Sequence, residues 1–279
     1  MSPAPAPTVE LRRGARMPRL GLGTSPMDDA TAERAVAAAL EAGYRLIDTA
    51  ENYGNEVGVG RGLRAAGVPR DEVFVTTKFN KRWHGVAEAA EAFERSADRL
   101  GLDQVDLLLI HWPNPDQDRY VQAFEGLLRL HEQGRVRAIG TSNFKPAHLE
   151  RLRAETGELP DVNQIQLSPD VARTAARAYH DEHGIVTESW SPLGGPRGDL
   201  LSQPVVREVA ERHGSTPAQV VLRWHLEVGC VPIPKSANPE RIAENLAATG
   251  LALSPEDVEA LSALDRGEAA AADSDAQGH

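Results

Sequence analysis

The chain holds a single cysteine, Cys230, in 279 residues, which excludes an internal disulfide and a cysteine-built metal centre. A lone thiol fits a reducing compartment. No apolar run is long enough to cross a bilayer. The amino end, Met1 to Val9, alternates Pro and Ala and lacks the basic-then-apolar order of a secretion signal. The expectation is a soluble, cytoplasmic protein with no membrane partner. Positive charge is also short: 30 Lys and Arg against 41 Asp and Glu leave a net charge of -11. That field repels nucleic acid and anionic membrane surfaces, so an anionic ligand needs a local basic pocket. Among the basic residues lysine is the scarce one, present only as Lys78, Lys81, Lys145 and Lys235. Where Arg is the habitual cation, a retained Lys is a candidate for chemistry that needs a compact ammonium with a movable pKa. Lys81 and Lys145 read equally well as surface residues.

What the chain does have is a repeated strand-then-helix pattern. Val9 to Met17 reads as a hairpin turning at Arg13-Gly14, and Leu20-Gly21-Leu22-Gly23-Thr24 as a first short strand. Asp28 and Asp29 can cap a helix with Ala32, Ala35, Val36, Ala39 and Leu40 on one face, ended by Gly43. Further strands are expected at Arg45–Asp48, Val73–Lys78, Val105–Ile110, Val136–Thr141, Val162–Gln166, Ile185–Trp190 and Cys230–Ile233. Helices are expected at Glu56–Ala66, Val86–Leu100, Tyr120–Gln133, Pro204–His213, Pro217–Glu227, Pro239–Leu246 and Pro255–Leu264. The run Val105 to Ile110 is almost wholly apolar, as in a strand buried on both faces. About eight such units in one chain of this length favour a closed parallel α/β structure, a (β/α)8 TIM barrel with an amino-terminal hairpin and two extra helices. An open dinucleotide-binding sheet would carry Gly-x-Gly-x-x-Gly after its first strand, and Gly21-Leu22-Gly23 is followed instead by Thr24, Ser25 and Pro26. The expected limits are a disordered arm over 1–8, one barrel domain over 9–266 and a disordered Ala/Asp/Ser/Gly tail over 267–279.

In such a barrel the loops after the strands share one face, and catalytic groups gather there. Asp48, Lys78, His111, Asn143, Gln164, Trp190 and Lys235 fall at or near the ends of seven different strands. Tyr53 follows Asp48 in a loop that can face the same cavity. A tyrosine's ordinary pKa, about 10, is high for proton exchange near neutrality, and a neighbouring ammonium lowers it. Lys78 would be that ammonium, Asp48 its countercharge, and a neutral His111 could donate a ring proton to a substrate oxygen. The four together suit protonation of an oxygen gaining negative charge. Separately, Lys78 and Asp48 could be a structural ion pair and His111 a satisfied rim residue beside Trp112. No Ser-His-Asp order, no Gly-x-Ser-x-Gly turn and no metal-ligand spacing is present, so a hydride from a bound cofactor is the natural source of that charge. Ile233-Pro234-Lys235-Ser236 leads into a helix carrying Arg241, Glu244 and Asn245, which puts a Lys, a hydroxyl, a helix amino terminus and an Arg within reach of one phosphate. Trp190 could stack on a planar ring or belong to the core. Ser191-Pro192-Leu193-Gly194-Gly195 gives a tight loop whose backbone could approach a pyrophosphate.

These runs resemble the aldo-keto reductase family from Gly21 to about Leu264. The matching stretches are Gly43-Tyr44-Arg45-Leu46-Ile47-Asp48-Thr49-Ala50 with Tyr53, Asn55 and Glu56; Thr77-Lys78-Phe79; Leu109-Ile110-His111-Trp112-Pro113; Gly140-Thr141-Ser142-Asn143-Phe144; Asn163-Gln164; and Ile233 to Asn245. The resemblance implies a monomeric reductase of small carbonyl compounds that uses NADPH. It implies Tyr53 as general acid, Lys78 and Asp48 tuning it, and His111 orienting the carbonyl beside Trp112. It also implies Ser142, Asn143 and Gln164 on the cofactor's carboxamide and Trp190 on its ring. Lys235, Ser236 and Arg241 would grip the ribose phosphate, with Glu244 and Asn245 near the adenine. Gly23, Thr24, Ser191 and Leu193 complete the expected cofactor contacts. The pattern looks closest to the bacterial diketogluconate and methylglyoxal reductase-like branch. Ser25 stands where the family often has an aromatic wall residue, Ser168 where many members have His, and Trp190 where Tyr is more usual. A cofactor-sensing regulatory subunit on the same barrel, or an unrelated barrel acting on a sugar phosphate, would share parts of this pattern.

Overall fold

The computed structural model describes residues 7–195 and 198–279. Of the expected arm over 1–8, residues 1–6 lie outside the described residues. Thr8 already opens a strand, because β1 (Thr8–Glu10) pairs antiparallel with β2 (Arg16–Pro18). The hairpin turns where expected, with Gly14 N donating to Leu11 O at 2.8 Å.

Eight parallel strands follow in chain order: β3 (Leu22–Gly23), β4 (Leu46–Asp48), β5 (Phe74–Phe79), β6 (Val105–Ile110), β7 (Val136–Ser142), β8 (Val162–Gln166), β9 (Val186–Trp190) and β10 (Val231–Pro232). The first meets the last through a parallel bridge between Gly23 and Lys235, with Gly21 N to Pro232 O and Gly23 N to Pro234 O both at 3.1 Å. The sheet is therefore a closed barrel. Around it run α1 (Asp29–Ala42), α2 (Glu56–Ala65), α3 (Val86–Leu100), α4 (Tyr120–Glu132), α5 (Pro146–Thr156) and α6 (Thr174–Glu182). Two helices, α7 (Pro204–Arg212) and α8 (Pro217–Glu227), separate β9 from β10, and α9 (Pro239–Ala247) and α10 (Pro255–Ser262) close the chain. Two helices are thus extra to strict alternation. Among the described residues no helix is long and apolar enough to cross a membrane.

The two-residue period of a strand sorts its side chains. Leu46, Phe74, Leu107, Ala138, Val162 and Val231 face the barrel axis, where Leu11, Ala15 and Met17 of the hairpin join them as a floor. The alternate residues Ile47, Val75, Leu108 and Ile139 pack outward against the helices. Arg13 fastens the floor, its backbone N–H donating to Asp161 Oδ1 at 2.9 Å and its guanidinium reaching Asp161 Oδ2 at 3.2 Å. Continuing each inward row toward the carboxyl end of its strand leads to Asp48, Lys78, His111, Ser142, Gln164 and Glu188. The polar site is one layer laid on an apolar one.

α2 reaches its place because Gly58, Gly60 and Gly62 line its inner face. A Cβ on Gly58 would collide with the carbonyl oxygen of Asp29, and one on Gly60 with that of Leu100. Backbones of α1, α2 and α3 approach closely along that stripe.

The segment 267–279, expected to be disordered, instead lies over the mouth. Ala272 N donates to Gln166 Oε1 at 2.8 Å, Lys145 Nζ holds Asp273 and Asp275 at 2.6 Å each, and His148 Nε2 meets Asp275 at 3.0 Å. Lys81 N donates to the carbonyl oxygen of His279 at 3.3 Å. The segment has little to bury; ion pairs and backbone hydrogen bonds hold it, and composition does not reveal these.

Candidate active site

Lys78 is the centre of the site. It is fully buried, and its Nζ donates to Asp48 Oδ1 at 2.7 Å, to Thr49 O at 2.9 Å and to Tyr53 Oη at 3.4 Å. Burial, the largest influence on this ammonium, pulls its pKa down. Asp48, Tyr53 and Glu188 outweigh it and hold the value at about 12. Asp48 is pushed up by burial and drawn back by Lys78 and by Gln164, whose Nε2 donates to Oδ2 at 2.9 Å. A carboxylate with both oxygens occupied and a 2.7 Å ammonium is the ionised partner of that pair.

Tyr53 closes a single 3-10 turn, Glu51–Tyr53, after β4. Two anchors fix that turn. Glu51 accepts from Trp83 Nε1 at 2.9 Å and pairs with Arg82. Asn55 donates to Thr24 O and Met27 O at 3.0 Å each and accepts from Thr49 Oγ1 at 2.9 Å. The expected lowering of the Tyr53 pKa is not what results. Burial dominates and raises it, with Asp48 and Glu188 adding to the rise while Lys78 pulls against them. The resting phenol is therefore protonated, with an ammonium beside the oxygen that would become a phenolate. His111 directly follows β6, its ring centroid 5.9 Å from that of Tyr53. Burial, then Lys78 and His279, keep its pKa well below the ordinary value, so the ring is neutral with one N–H to donate.

On the opposite side of the mouth Ser142 Oγ donates to Gln164 O at 3.0 Å. Asn143 Nδ2 donates to His111 O at 3.1 Å and to Ser142 Oγ at 3.0 Å, and its Oδ1 accepts from Trp190 Nε1 at 2.8 Å. Asn143 thus ties three strands and fixes the Trp190 ring by its edge. Thr24, fully buried, donates to Asp48 O at 3.0 Å, so its side chain is a strut within the site. Gly23 lies so close to the Ile233 carbonyl that a Cβ would stand 2.9 Å from its oxygen. Ser191 takes a left-handed backbone, and Leu193 is half-buried against the outer apolar packing.

Lys235 and Arg241 are exposed and form no ion pair among the described residues. They flank the amino end of α9, where Asn238 caps by accepting from Arg241 N at 3.1 Å and Ser236 Oγ accepts from Asn238 N at 3.2 Å. Two uncompensated cations, a hydroxyl and a helix amino terminus form a cradle that suits a phosphate. Asn245 is buried on the same helix, whereas Glu244 is held by Thr216 Oγ1 at 2.7 Å. The His279 ring sits 4.8 Å from that of His111 and 6.1 Å from that of Trp112, and hydrogen bonds to Asn52. A separate cavity of about 900 Å³ opens by Arg70, Asp106 and Arg137 at the amino ends of the strands, away from these groups. Asp106 there is already saturated, by Arg70 at 2.6 Å and by Val75 N and Arg137 at 2.9 Å.

Sequence reasoning missed Glu188, Glu51, Thr49 and His279. Glu188 had a signal: a carboxyl inside a buried strand, two residues before Trp190 and on the same face.

Polar groups from several strands meeting at the carboxyl end of a closed barrel are the architecture of a barrel enzyme. The chain belongs to the aldo/keto reductase family, whose description matches residues 17–266. It is 49% identical over 261 residues to 2,5-diketo-D-gluconic acid reductase B of Corynebacterium sp. (strain SHS752001), covering 94% of each chain. An aldo-keto reductase of Mycolicibacterium smegmatis is 47% identical over 94% of this chain and 95% of its own. Among solved structures, an aldo/keto reductase from Brucella melitensis has a TM-score of 0.89 at 44% identity, over 93% of this chain and 100% of its own. A mutant of Gox0644 in complex with NADPH has a TM-score of 0.90 at 43% identity, over 94% and 95%.

Proposed function

We propose that this chain reduces aldehydes or ketones to alcohols with NADPH, Tyr53 acting as general acid. The observation that carries the reading is the position of Lys78 Nζ, bonded to Asp48 at 2.7 Å and 3.4 Å from the phenol oxygen of Tyr53. Bound NADPH would supply a hydride to the carbonyl carbon. Lys235, Ser236 and Arg241 would hold its phosphate at the α9 terminus, with Trp190 and Gln164 beside its ring. As the carbonyl oxygen gains charge, Tyr53 Oη gives up its proton to it, completing the alcohol. The phenolate left behind faces Lys78, which stabilises it, and water restores the proton. His111, neutral, donates one ring N–H to the same oxygen and so aims it at Tyr53. The reading asks nothing of a second subunit, and we propose a monomer.

The test is NADPH oxidation by the purified protein across small aldehydes, ketones and 2,5-diketo-D-gluconate, the last chosen because a relative is named for reducing it. Tyr53→Phe runs alongside. The expected result is turnover that falls about 100- to 10,000-fold in the variant, the usual contribution of a general acid, while NADPH still binds. Equal turnover in both proteins would sink Tyr53 as the acid.

A further inference from the structure

The cluster beneath Tyr53 contains one acidic group for which the mechanism above has no task. Glu188 is fully buried on β9, in register with Gln164 of β8 on one side and Val231 of β10 on the other. Its Oε2 accepts from Gln164 Nε2 at 2.6 Å, and its Oε1 has no partner among the described residues. The same Gln164 nitrogen donates to Asp48 Oδ2 at 2.9 Å. One side-chain amide therefore spans two carboxyl groups.

Charge decides how that bridge is populated. The titratable groups facing Glu188 are Asp48 from β4, Lys78 from β5 and Tyr53 from the loop after β4; β8 contributes the neutral Gln164, and β10 the apolar Val231. Lys78 is the only cation of the set, and it lies on Asp48 and Thr49. Two buried carboxylates around one ammonium would leave a net negative charge out of reach of water, and a group in that position takes up a proton instead. Asp48 has the ammonium and an amide N–H, while Glu188 has the amide alone, so the proton belongs on Glu188. Gln164 then has both N–H groups committed to carboxyl oxygens, and its Oε1 remains as the atom able to accept from a ligand.

We propose that Glu188 is a positioning residue: it is protonated in the resting protein, and in that neutral form it fixes the Gln164 amide with Oε1 presented as an acceptor. The direction of its titration agrees, burial foremost and Asp48 next pushing the carboxyl up to about 8. Above that pH an ionised Glu188 adds negative charge beside Tyr53 and opposes the phenolate that proton transfer creates. The kinetic consequence rests on the reductase reading; the protonation state and the amide's orientation do not.

The experiment has one arm without turnover and one with it. Infrared difference spectra between about pH 7 and about pH 9.5 should show a protonated-carboxyl band that disappears at the higher pH and is missing from Glu188→Gln. Titration with NADP+ should give an affinity for Glu188→Gln within about threefold of the parent, and for Glu188→Leu about tenfold weaker, the size of one hydrogen bond. In the turnover arm, the rate of NADPH-dependent reduction should decline above about pH 8, and Glu188→Gln, neutral at every pH, should lose that decline. The proposal is overturned by a parent spectrum with no such band, by a band that survives in Glu188→Gln, by Glu188→Leu binding NADP+ as the parent does, or by an unchanged decline in Glu188→Gln. If the variants do not fold, the parent spectrum alone decides. A protein that passes the spectral and binding arms yet reduces no carbonyl would fail the reductase reading and keep this one.

Discussion

Lys78→Met removes the one cation of the buried cluster while keeping most of the side chain's volume. In the parent, Asp48 and Lys78 are 2.7 Å apart and almost fully buried, and the ammonium also satisfies Thr49 O at 2.9 Å. Breaking a buried pair from one side costs about 3–5 kcal/mol, since the remaining charge has neither water nor partner. Asp48 has one escape, which is to take up a proton. Its folded-state pKa, already raised by burial, loses the Lys78 attraction that holds it down. A carboxyl with a raised folded pKa contributes stability below its unfolded value of about 3.9 and loses it as pH rises toward the folded pKa. One proton's difference between the two states is worth about 1.4 kcal/mol per pH unit. The variant's deficit should therefore be about 3–5 kcal/mol near pH 8, where Asp48 is left charged and unpaired, and smaller near pH 6, where its protonation relieves part of it. Urea unfolding followed by far-UV circular dichroism at both pH values measures it, taken as variant minus parent so that shared titrations cancel. A deficit below about 1 kcal/mol at pH 8, or one equal at both pH values, would refute the ion-pair assignment.

Arg241→Ala should weaken NADPH by about tenfold or more and NADH far less, because the exposed guanidinium loses only a phosphate contact; fluorescence titration showing equal losses would remove Arg241 from the cradle. Gly58→Ala should destabilise by about 2–3 kcal/mol, through the clash of its Cβ with Asp29 O, although Ala is the better helix former; a variant as stable as the parent in thermal unfolding would show that the α1–α2 contact can spread. Deleting residues 267–279 should shift KM for carbonyl substrates several-fold while changing unfolding stability by less than about 1 kcal/mol, since exposed ion pairs hold most of that segment; a large loss of stability with unchanged KM would contradict its placement over the mouth.

Strands and most helices were legible because their signals are local. Val105–Ile110 is apolar except for Asp106, and Val86–Leu100 presents Ala89, Ala92, Phe93, Ala97 and Leu100 on one face before a terminating Gly101. Nothing comparable marks α5, which buries only His148, Leu149 and Leu152, or α6, which buries Ala176 and His180; neither has an apolar stripe wide enough to stand out. The four catalytic candidates were visible because each lies at the end of an inward row or in the loop after one. What could not be read was the balance among them. Whether burial or Lys78 governs Tyr53 depends on distances and solvent access, and burial prevails. Glu188 stands inside its strand and not at the end, where Trp190 is, so only the strand's parity marks it as facing the site. Lys145 read as a surface cation because its partners, Asp273 and Asp275, lie more than a hundred residues away.

The hairpin floor has a consequence for water. Leu11, Ala15 and Met17 close the amino end of the barrel by packing in one cluster with Leu46, Phe74 and Val162, so among the described residues access is from the carboxyl end. In the proposed chemistry, substrate, product and the proton that Tyr53 would recover all share that opening. Whatever lies across it, here the segment ending at His279, would act on all three traffics at once. Under that proposal, a change there would alter proton recovery as surely as what can enter.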